Sequence, residues 1–430
     1  MIECERHVLP NGLKVIITPI THSSTITSMI LVLGGSRFEK KEKAGISHFM
    51  EHMFFQGGVK YPTSFAADKL IDSIGGECEA LTEKEVVIYY VKHGSSCGNL
   101  GLDILEDMLM HARFPEKELE KERKVVLEEL GKGEDDVATL LFESIDKHLL
   151  YGNHPLGVPI LGTRNTIKNF KKSDLFEYRN TFYKPNNMVI SVAGNVNPED
   201  ILRDVQSRFG SMIPGPVPEM ILFEESQIKK NRVFVQPLKQ TKRAVITLVA
   251  PGMVHKHPDY FPMQVLISIL GDGMSSRLHQ ELRENRGLVY GIQSFGEVFR
   301  EIGTIYSHWE TSAENTEKTL GLVMNEYQKL REDRVENEEL QRFKDKLTKS
   351  REMKREKSEY FAGEFGQDEL MFGRIICFDE YCRIINAVTK DDILRLARTY
   401  LGPEKLKVAI AAEKKYCKKE KIQKILENAR

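Results

Sequence analysis

The stretch GISHFMEHMFFQGG, residues 45–58, places two histidines and a glutamate at the spacing of one helix face. Residues four apart in a helix lie on the same side, so His48 and His52 should point the same way, with Glu51 beside them. Two imidazoles and a carboxylate are side chains with which proteins hold zinc and activate a bound water. The stretch therefore predicts a helix that supplies two metal ligands and a general base, and it requires a third ligand from another part of the chain.

The composition is that of a soluble globular protein with more than one domain. A chain of 430 residues exceeds one ordinary hydrophobic core, which predicts two or three domains, with two as the simplest division. Lys plus Arg number 62 and Asp plus Glu 63, so the charge balance gives no reason to expect a nucleic-acid partner. No apolar run approaches the length of a bilayer span, and we expect no membrane span.

Two further features predict a cytoplasmic protein. Residues 1–6 show neither a basic nor an apolar leader, and a strand-like segment follows soon after them. The six cysteines are scattered, without a Cys-x-x-Cys pair or a dense framework, so we expect reduced thiols.

Two stretches in the two halves of the chain match each other. Residues 172–193 correspond to residues 390–411 at an offset of 218, including a strand-like run that follows a proline in both copies. Two further pairs lie at offsets of 217 and 221: Gly35 with Gly252, and residues 150–152 with 371–373. The agreement of three separate anchors indicates an internal duplication.

The duplication predicts an α+β fold of two homologous α/β-sandwich domains, each a mostly antiparallel sheet covered by helices. We expect an N-terminal domain that carries the metal motif over residues 1–212, a stiff and exposed Pro-rich linker over 213–228, and a homologous C-terminal domain without the metal ligands over 229–430. Within the first domain the residue pattern predicts a strand over 25–33 and a helix over 115–130.

The second copy is an internal control on the metal hypothesis. At an offset of 217, the two histidines and the glutamate fall on Val265, Ser268 and Ile269, within an apolar helical run. Polar side chains that face a core must all find partners, so a helix needed only for packing gains nothing from two imidazoles and a carboxylate. A coincidental pair of histidines is the alternative, and only a third ligand decides against it.

The predicted helix over 115–130 offers six glutamates for the third position: Glu116, Glu118, Glu120, Glu122, Glu128 and Glu129. Spacing alone does not choose among them. Glu122 and Glu129 lie two turns apart on one face, so one can bind the metal while the other braces a ligand or the substrate. At an offset of 221 these two positions hold Phe343 and Ser350, so the second copy lacks both carboxylates.

The order His-x-x-Glu-His is the reverse of the His-Glu-x-x-His zinc motif, and here Glu129 follows it after 76 intervening residues. With Glu122 seven residues before Glu129, the pattern resembles the inverted-zincin metallopeptidases of the pitrilysin and mitochondrial processing peptidase family. Further stretches carry the same resemblance along nearly the whole chain: residues 11–13, 34–37, 75–76, 89–90, 154–157, 161–162 and 286–290. The resemblance implies that His48, His52 and Glu129 bind one zinc ion per active subunit. Glu51 would be the catalytic base, and Glu122 would support a ligand.

The same resemblance implies the substrate contacts. An Arg and a Tyr of the second domain, here Arg286 and Tyr290, would contact the substrate backbone. An ordinary surface Arg and a packing Tyr are the alternative. The peptide would add as a strand to an exposed edge over residues 78–82, which predicts recognition through the main chain and a loose sequence preference.

Two positions depart from the family pattern. The usual Asn before Ala in the strand after the Gly-Gly pair is Glu79 here, next to Ala80, and we include both residues in the predicted substrate-binding set. An acid at this position is expected to alter specificity or slow turnover. The usual Lys-Gly-Thr after the metal motif is Gln-Gly-Gly over residues 56–58.

The implied function is that of a zinc-dependent endopeptidase that cleaves peptides or unfolded segments inside a closed chamber. Members of this family come as halves or as whole clamshells, and two homologous domains make one half. We therefore expect a homodimer, with a heterodimer with an inactive relative as the second possibility. The alternatives are a non-catalytic assembly or binding subunit of the same fold, and a metal-buffering protein.

Overall fold

The computed structural model describes residues 3–239 and 241–428; Met1 and Ile2, which belong to the stretch inspected for a leader, lie outside the described residues. The strands are β1 Glu5–Val8, β2 Lys14–Pro19, β3 Thr25–Leu33, β4 Glu77–Thr82, β5 Val86–Gly94, β6 Met188–Gly194, β7 Val233–Leu238, β8 Arg243–Gly252, β9 Val289–Val298, β10 Gly303–Ser312 and β11 Lys407–Glu413. The helices of the first half are α1 Ile46–Phe54, α2 Ser64–Ser73, α3 Leu100–Met110, α4 Glu116–Asp135, α5 Val137–Ser144, α6 Arg164–Asn169, α7 Lys172–Phe182 and α8 Pro198–Phe209. Those of the second half are α9 Tyr260–Gly271, α10 Arg277–His279, α11 Thr316–Glu332, α12 Asn337–Lys354, α13 Ser358–Met371, α14 Phe378–Ala387, α15 Lys390–Tyr400 and α16 Lys419–Asn428.

The two sheets have the same topology. Strand order is β1-β2-β6-β3-β5-β4 in the first sheet and β7-β11-β8-β10-β9 in the second. Each sheet contains one parallel pair, β2 with β6 and β7 with β11, and all its other pairs are antiparallel. Apart from β1, the strands correspond one to one in chain order. The predicted α+β fold of two related, mostly antiparallel units is therefore confirmed.

The chain forms two compact units, and each unit is discontinuous in sequence. The first contains Met1–Lys132, Val158–Ile221 and Met353–Ile376, and the second contains Gly133–Gly157, Leu222–Glu352 and Cys377–Arg430. Helix α5, from the first half of the sequence, belongs to the second unit, and α13, from the second half, belongs to the first unit. The two helices begin 221 residues apart, which is the duplication offset in this region. The two copies thus exchange the same element. The boundaries at residues 212 and 229 describe the duplicated sequence and stay a prediction.

The central strand β3 shows why the first sheet is covered on both faces. It is a near-continuous run of β-branched and apolar residues, which is typical of a strand buried on two sides. Ile30 packs in the same apolar cluster as Phe49 of α1, whereas the neighbouring Leu31 packs with Phe361 of α13. Helix α1 therefore lies on one face of the sheet and α13 on the other.

Helix α13 is held against the first sheet by an ion pair to a buried carboxylate and by close packing. The Glu369 carboxylate, which is fully buried, accepts hydrogen bonds from the Arg6 guanidinium at 2.6 and 2.9 Å and lies 3.1 Å from the Lys14 ammonium. A Cβ atom at Gly366 would lie 2.5 Å from a Leu31 methyl group, so only glycine allows this approach. Within the described residues, no helix is long and apolar enough to cross a membrane.

Candidate metal centre

Helix α1 starts at a buried turn that a carboxylate from outside the helix stabilises. Its N-cap, Gly45, has a φ of 91° and no capping side chain. The Glu39 carboxylate accepts hydrogen bonds from the backbone N–H of Gly45 at 2.7 Å and of Ser47 at 2.8 Å, and also from the Ser47 hydroxyl. Burial raises the pKa of Glu39 to about 7, and the hydrogen bonds from Ser47 and Gly45 oppose that rise. Glu39 thus satisfies free N–H groups at the start of the helix.

Three donor groups converge above α1. One atom each from His48, His52 and Glu129 lie within 4.8 Å of one another. The Glu129 Oε2 atom lies 3.8 Å from Nε2 of His48 and 3.4 Å from Nε2 of His52. Ligands at the corners of a tetrahedral zinc site with bonds of roughly 2.0–2.1 Å lie about 3.3 Å apart. The separation of 3.4 Å is close to this value, and the separation of 3.8 Å is wider. The convergence on Glu129 argues against a coincidental pair of histidines.

Glu122 orients one of the imidazoles. Its Oε2 atom lies 3.2 Å from Nδ1 of His52, and its side chain is buried. If Nδ1 of His52 donates to Glu122, the lone pair of Nε2 faces Glu129. The Glu129 Oε2 atom is buried and accepts no hydrogen bond within the described chain. Two lone pairs then face each other across 3.4 Å, an arrangement that a cation between them would relieve.

The pKa values of the two histidines shift in opposite directions. Burial, and then the neighbouring His52, lowers the pKa of His48 to about 4, so its imidazole is neutral near pH 7 and can act as a ligand. Burial also lowers the pKa of His52, but the hydrogen bond with Glu122 and the charge of Glu129 more than offset that effect and raise it overall.

Glu51 is held in place by the sheet. The hydroxyl of Thr82, the last residue of β4, donates a hydrogen bond to Glu51 Oε2 at 2.5 Å. Burial raises the pKa of Glu51, and the hydrogen bond from Thr82 and the charge of His52 lower it in part. Sequence reasoning missed Glu39, and it placed Thr82 on the substrate edge without predicting its contact with Glu51. The signal for Glu39 is a helix that begins after a glycine, which needs a capping group from elsewhere.

Strand β4 is the edge of its sheet, and its free backbone groups can be assigned. The Glu83 N–H donates to the Val86 carbonyl at 2.9 Å. Hydrogen-bonded and non-bonded pairs alternate along an antiparallel ladder. The β4–β5 register therefore leaves the N–H and C=O groups of Cys78, Ala80 and Thr82 facing the open edge. The edge predicted at residues 78–82 is thus present and includes Ala80.

Glu79 lies on the other face of β4. Side chains alternate along a strand, so Glu79 points away from the face on which Thr82 contacts α1. Its Oε2 atom accepts a hydrogen bond from the Tyr90 hydroxyl at 2.7 Å. Tyr90 in turn packs in the apolar cluster that contains α13.

The Gly-Gly pair after the metal motif has a packing cause. Gly57 has a φ of 110°, and a Cβ atom there would lie 2.6 Å from the backbone of Pro62. A Cβ atom at Gly58 would lie 2.4 Å from a carboxylate oxygen of Asp107. That carboxylate accepts hydrogen bonds from three successive backbone N–H groups, those of residues 59–61. The loop that leaves α1 is therefore closed around Asp107 and leaves no room for a side chain at residue 58.

Arg286 and Tyr290 belong to the second unit. The Arg286 guanidinium donates to the Glu281 carboxylate at 2.7 Å. Tyr290 is 89% exposed near the start of β9, the edge strand of the second sheet, and the Arg283 guanidinium lies 5.4 Å from its ring. The tyrosine is thus available for contact, and the substrate role of both residues stays a prediction.

An α/β sandwich that carries His-x-x-Glu-His on one helix and a glutamate from a second helix defines an inverted-zincin metal centre. The model of the insulinase family, peptidase family M16, matches residues 14–164. The model of the M16 inactive domain matches residues 169–347. The chain therefore belongs to the M16 family of insulinase-like peptidases.

Two relatives agree with this assignment. An uncharacterized zinc protease of Bacillus subtilis is 32% identical over 397 residues, which cover 92% of this chain and 95% of that protein. An uncharacterized zinc protease of Rickettsia bellii is 30% identical over 390 residues, which cover 90% of this chain and 93% of the relative. These names indicate zinc as the metal.

Two crystal structures share the fold. A protease from Helicobacter pylori superimposes with a TM-score of 0.87 at 22% identity, covering 96% of this chain and 100% of that one. A Pseudomonas fluorescens protein described as a peptidase M16 inactive domain superimposes with a TM-score of 0.88 at 19% identity, covering 96% of this chain and 98% of that one. At these identities the likeness establishes the fold alone.

Proposed function

We propose that this protein is a zinc-dependent endopeptidase that hydrolyses peptides or unfolded segments. The observation that carries the proposal is the convergence of His48, His52 and Glu129, with Glu51 on the same helix as the two histidines. Each active subunit would hold one zinc ion through these three side chains. The arrangement leaves a fourth position for water, as in other catalytic sites with two histidines and one glutamate.

The protein's own residues have distinct roles in the proposed reaction. Bound zinc would supply the Lewis-acid chemistry that lowers the pKa of a water molecule and polarises the peptide carbonyl. Glu51 accepts the proton of the attacking water and returns it to the leaving amine. Thr82 holds Oε2 of Glu51, so the other carboxylate oxygen is available for the proton. Glu122 keeps the proton on Nδ1 of His52 and thereby leaves Nε2 free to act as a ligand.

Substrate binding would use the open edge of β4. An extended peptide can pair its main chain with the N–H and C=O groups of Cys78, Ala80 and Thr82, which gives affinity without a strict sequence requirement. Arg286 and Tyr290 would add contacts to the peptide backbone. Recognition of an extended backbone restricts the substrates to peptides and unfolded segments.

For the assembly we propose a homodimer that encloses the substrate in a chamber, with a heterodimer with an inactive relative as the second possibility. The resemblance of the two-domain chain to one half of a clamshell supports the dimer. The scattered cysteines support a cytoplasmic location. Light scattering of the purified protein tests the assembly: a monomer at concentrations that support cleavage would contradict it.

Metal content and peptide cleavage, measured on the same sample, test the proposed activity. We expect about one zinc per chain and cleavage of unstructured peptides that a chelator abolishes and added zinc restores. Glu129→Gln should lose zinc and activity. Glu128→Gln, a neighbouring change at a side chain that is 75% exposed, should keep both.

Two results would favour other functions. Zinc bound without peptide cleavage, alone or with any partner subunit, would indicate a non-catalytic subunit of the same fold. Rapid zinc exchange together with unchanged function in Glu51→Gln would indicate a metal-buffering protein.

A further inference from the structure

The edge strand β4 carries two glutamates on one face, and their charges are balanced differently. The Lys92 ammonium lies 3.6 Å from the Glu77 carboxylate and 3.3 Å from that of Glu359, so it offsets the charge of Glu77. The Glu79 carboxylate has the Tyr90 hydroxyl as its partner, and within the described residues it forms no ion pair. Glu79 is therefore an exposed negative charge with a fixed direction and without a matching cation.

The backbone of β4 places this charge beside the proposed substrate. The N–H and C=O groups of Glu79 face β5, whereas those of Cys78 and Ala80 face the open edge. In an antiparallel strand added to this edge, the residue opposite Glu79 belongs to a non-hydrogen-bonded pair. Such pairs bring the two side chains closest together, with Cα atoms about 4.5 Å apart. Opposite charges in cross-strand pairs stabilise and like charges destabilise.

We propose that Glu79 determines specificity by selecting peptides with a Lys or Arg on the face of the bound strand that points away from α1. This inference rests on the proposed function, since it requires a peptide strand on β4. Every second residue of the substrate lies on that face, so the preference applies to alternate positions and not to adjacent ones. The Tyr90 hydroxyl orients the carboxylate, and an Asn at the same position would lack the charge.

The experiment compares three enzymes on one set of peptides. An unstructured peptide of neutral residues receives Lys, Gln or Glu at each position around its cleavage site, and kcat/KM is measured for the zinc-loaded wild type, Glu79→Gln and Glu77→Gln. At one or two alternate positions the wild type should prefer Lys over Gln by about two- to fivefold and should disfavour Glu. Glu79→Gln should bring the Lys-to-Gln ratio to about one. Glu77→Gln, the matched control on the same strand, should retain the preference.

The outcomes separate this inference from the proposed function. Cleavage by the wild type with equal rates for Lys and Gln at every position would overturn the role of Glu79 and leave the endopeptidase intact. A preference that survives in Glu79→Gln would also overturn it. If no peptide is cleaved, the proposed function fails, and binding of the same labelled peptides, followed by fluorescence anisotropy, decides instead. A Lys preference that disappears in Glu79→Gln would then support the role of Glu79, and equal binding would overturn it.

Discussion

Helices α1 and α9 hold equivalent places in the two copies of the fold but differ in character. In both copies the helix follows the central strand, β3 or β8, and precedes the hairpin at the sheet edge. The equivalents of His48, Glu51 and His52 are buried in α9, and two of the three are aliphatic: Val265, Ser268 and Ile269. The sandwich therefore needs a packed helix at this place and does not need the imidazoles or the carboxylate.

The polar residues of α1 are stable because side chains from other elements match them. His52 has Glu122 of α4, and Glu51 has Thr82 of β4. In the second copy the position of Glu122 is Phe343, which is fully buried. The second copy thus lacks both the histidines and the carboxylate that supports them. This is expected, because a buried Glu without a histidine partner lowers the stability of the fold.

The largest effect should follow from removing the general base alone. Glu51→Gln keeps the size of the side chain and an oxygen that can accept the hydrogen bond from Thr82, but it cannot accept a proton. We expect kcat/KM to fall by roughly 10²–10⁴-fold, with zinc content unchanged, as measured by peptide cleavage and metal analysis. A loss of less than tenfold would show that another group takes the proton.

A stepwise conversion of α1 toward α9 tests the pairing of the buried partners. In chelator-treated protein, His52→Ile should lower the free energy of unfolding by about 3 kcal/mol, because Glu122 loses its buried partner. Adding Glu122→Phe installs the second copy's residues at both positions and should recover about 2 kcal/mol. Denaturant unfolding of the two single variants and the double variant gives the coupling energy. A double variant whose loss of stability equals the sum of the two single losses would show that the two positions are independent.

Local sequence patterns were sufficient for the elements that form the site. Strand β3 spans the predicted residues 25–33, because a β-branched run of this length has few other structures available. Helix α4 covers the predicted 115–130 from residue 116 and continues to Asp135. It passes through Gly131 and Gly133 because each glycine costs a helix only about 1 kcal/mol. Spacing did not choose among the six glutamates of this helix; the family resemblance selected Glu122 and Glu129, the two carboxylates that approach the histidines.

Contacts between residues that are far apart in the sequence could not be predicted from local patterns. The hydrogen bond between Thr82 and Glu51 joins residues 31 apart, and the ion pair between Arg6 and Glu369 joins residues 363 apart. Neither partner has a period or spacing that marks it in the sequence. The exchange of α5 and α13 was missed for the same reason: packing contacts such as that at Gly366 assign a helix to one sheet, and such contacts leave no pattern in the sequence.

A smaller effect should follow from loosening the support of a ligand. Glu122→Gln keeps an oxygen near Nδ1 of His52 but removes the negative charge that holds the proton there. We expect zinc affinity to fall by about 10- to 100-fold, as measured by competition with a chelator of known affinity. Glu118→Gln, one turn earlier on α4, is the matched control and should leave the affinity unchanged. Equal affinities of Glu122→Gln and the wild type would remove Glu122 from the site.

The smallest effect concerns the turn that starts α1, where the two copies also differ. Glu39 is buried there, whereas the equivalent position at an offset of 217 is the exposed Lys256. Burial raises the pKa of Glu39 from an ordinary 4.5 to about 7, so the folded state binds this proton more tightly than the unfolded state does. Its contribution to stability is therefore complete below pH 4.5 and is lost as the pH rises through about 7.

Between pH 5 and 8 the free energy of unfolding of chelator-treated wild type should fall by about 1–2 kcal/mol relative to Glu39→Gln, in which this group cannot titrate. Subtracting the two free energies of unfolding at each pH cancels the contributions of the histidines and of the other carboxylates. Parallel curves would show that the proton is bound equally in both states, and the support of the α1 turn would then rest on the hydrogen bonds to Gly45 and Ser47 alone.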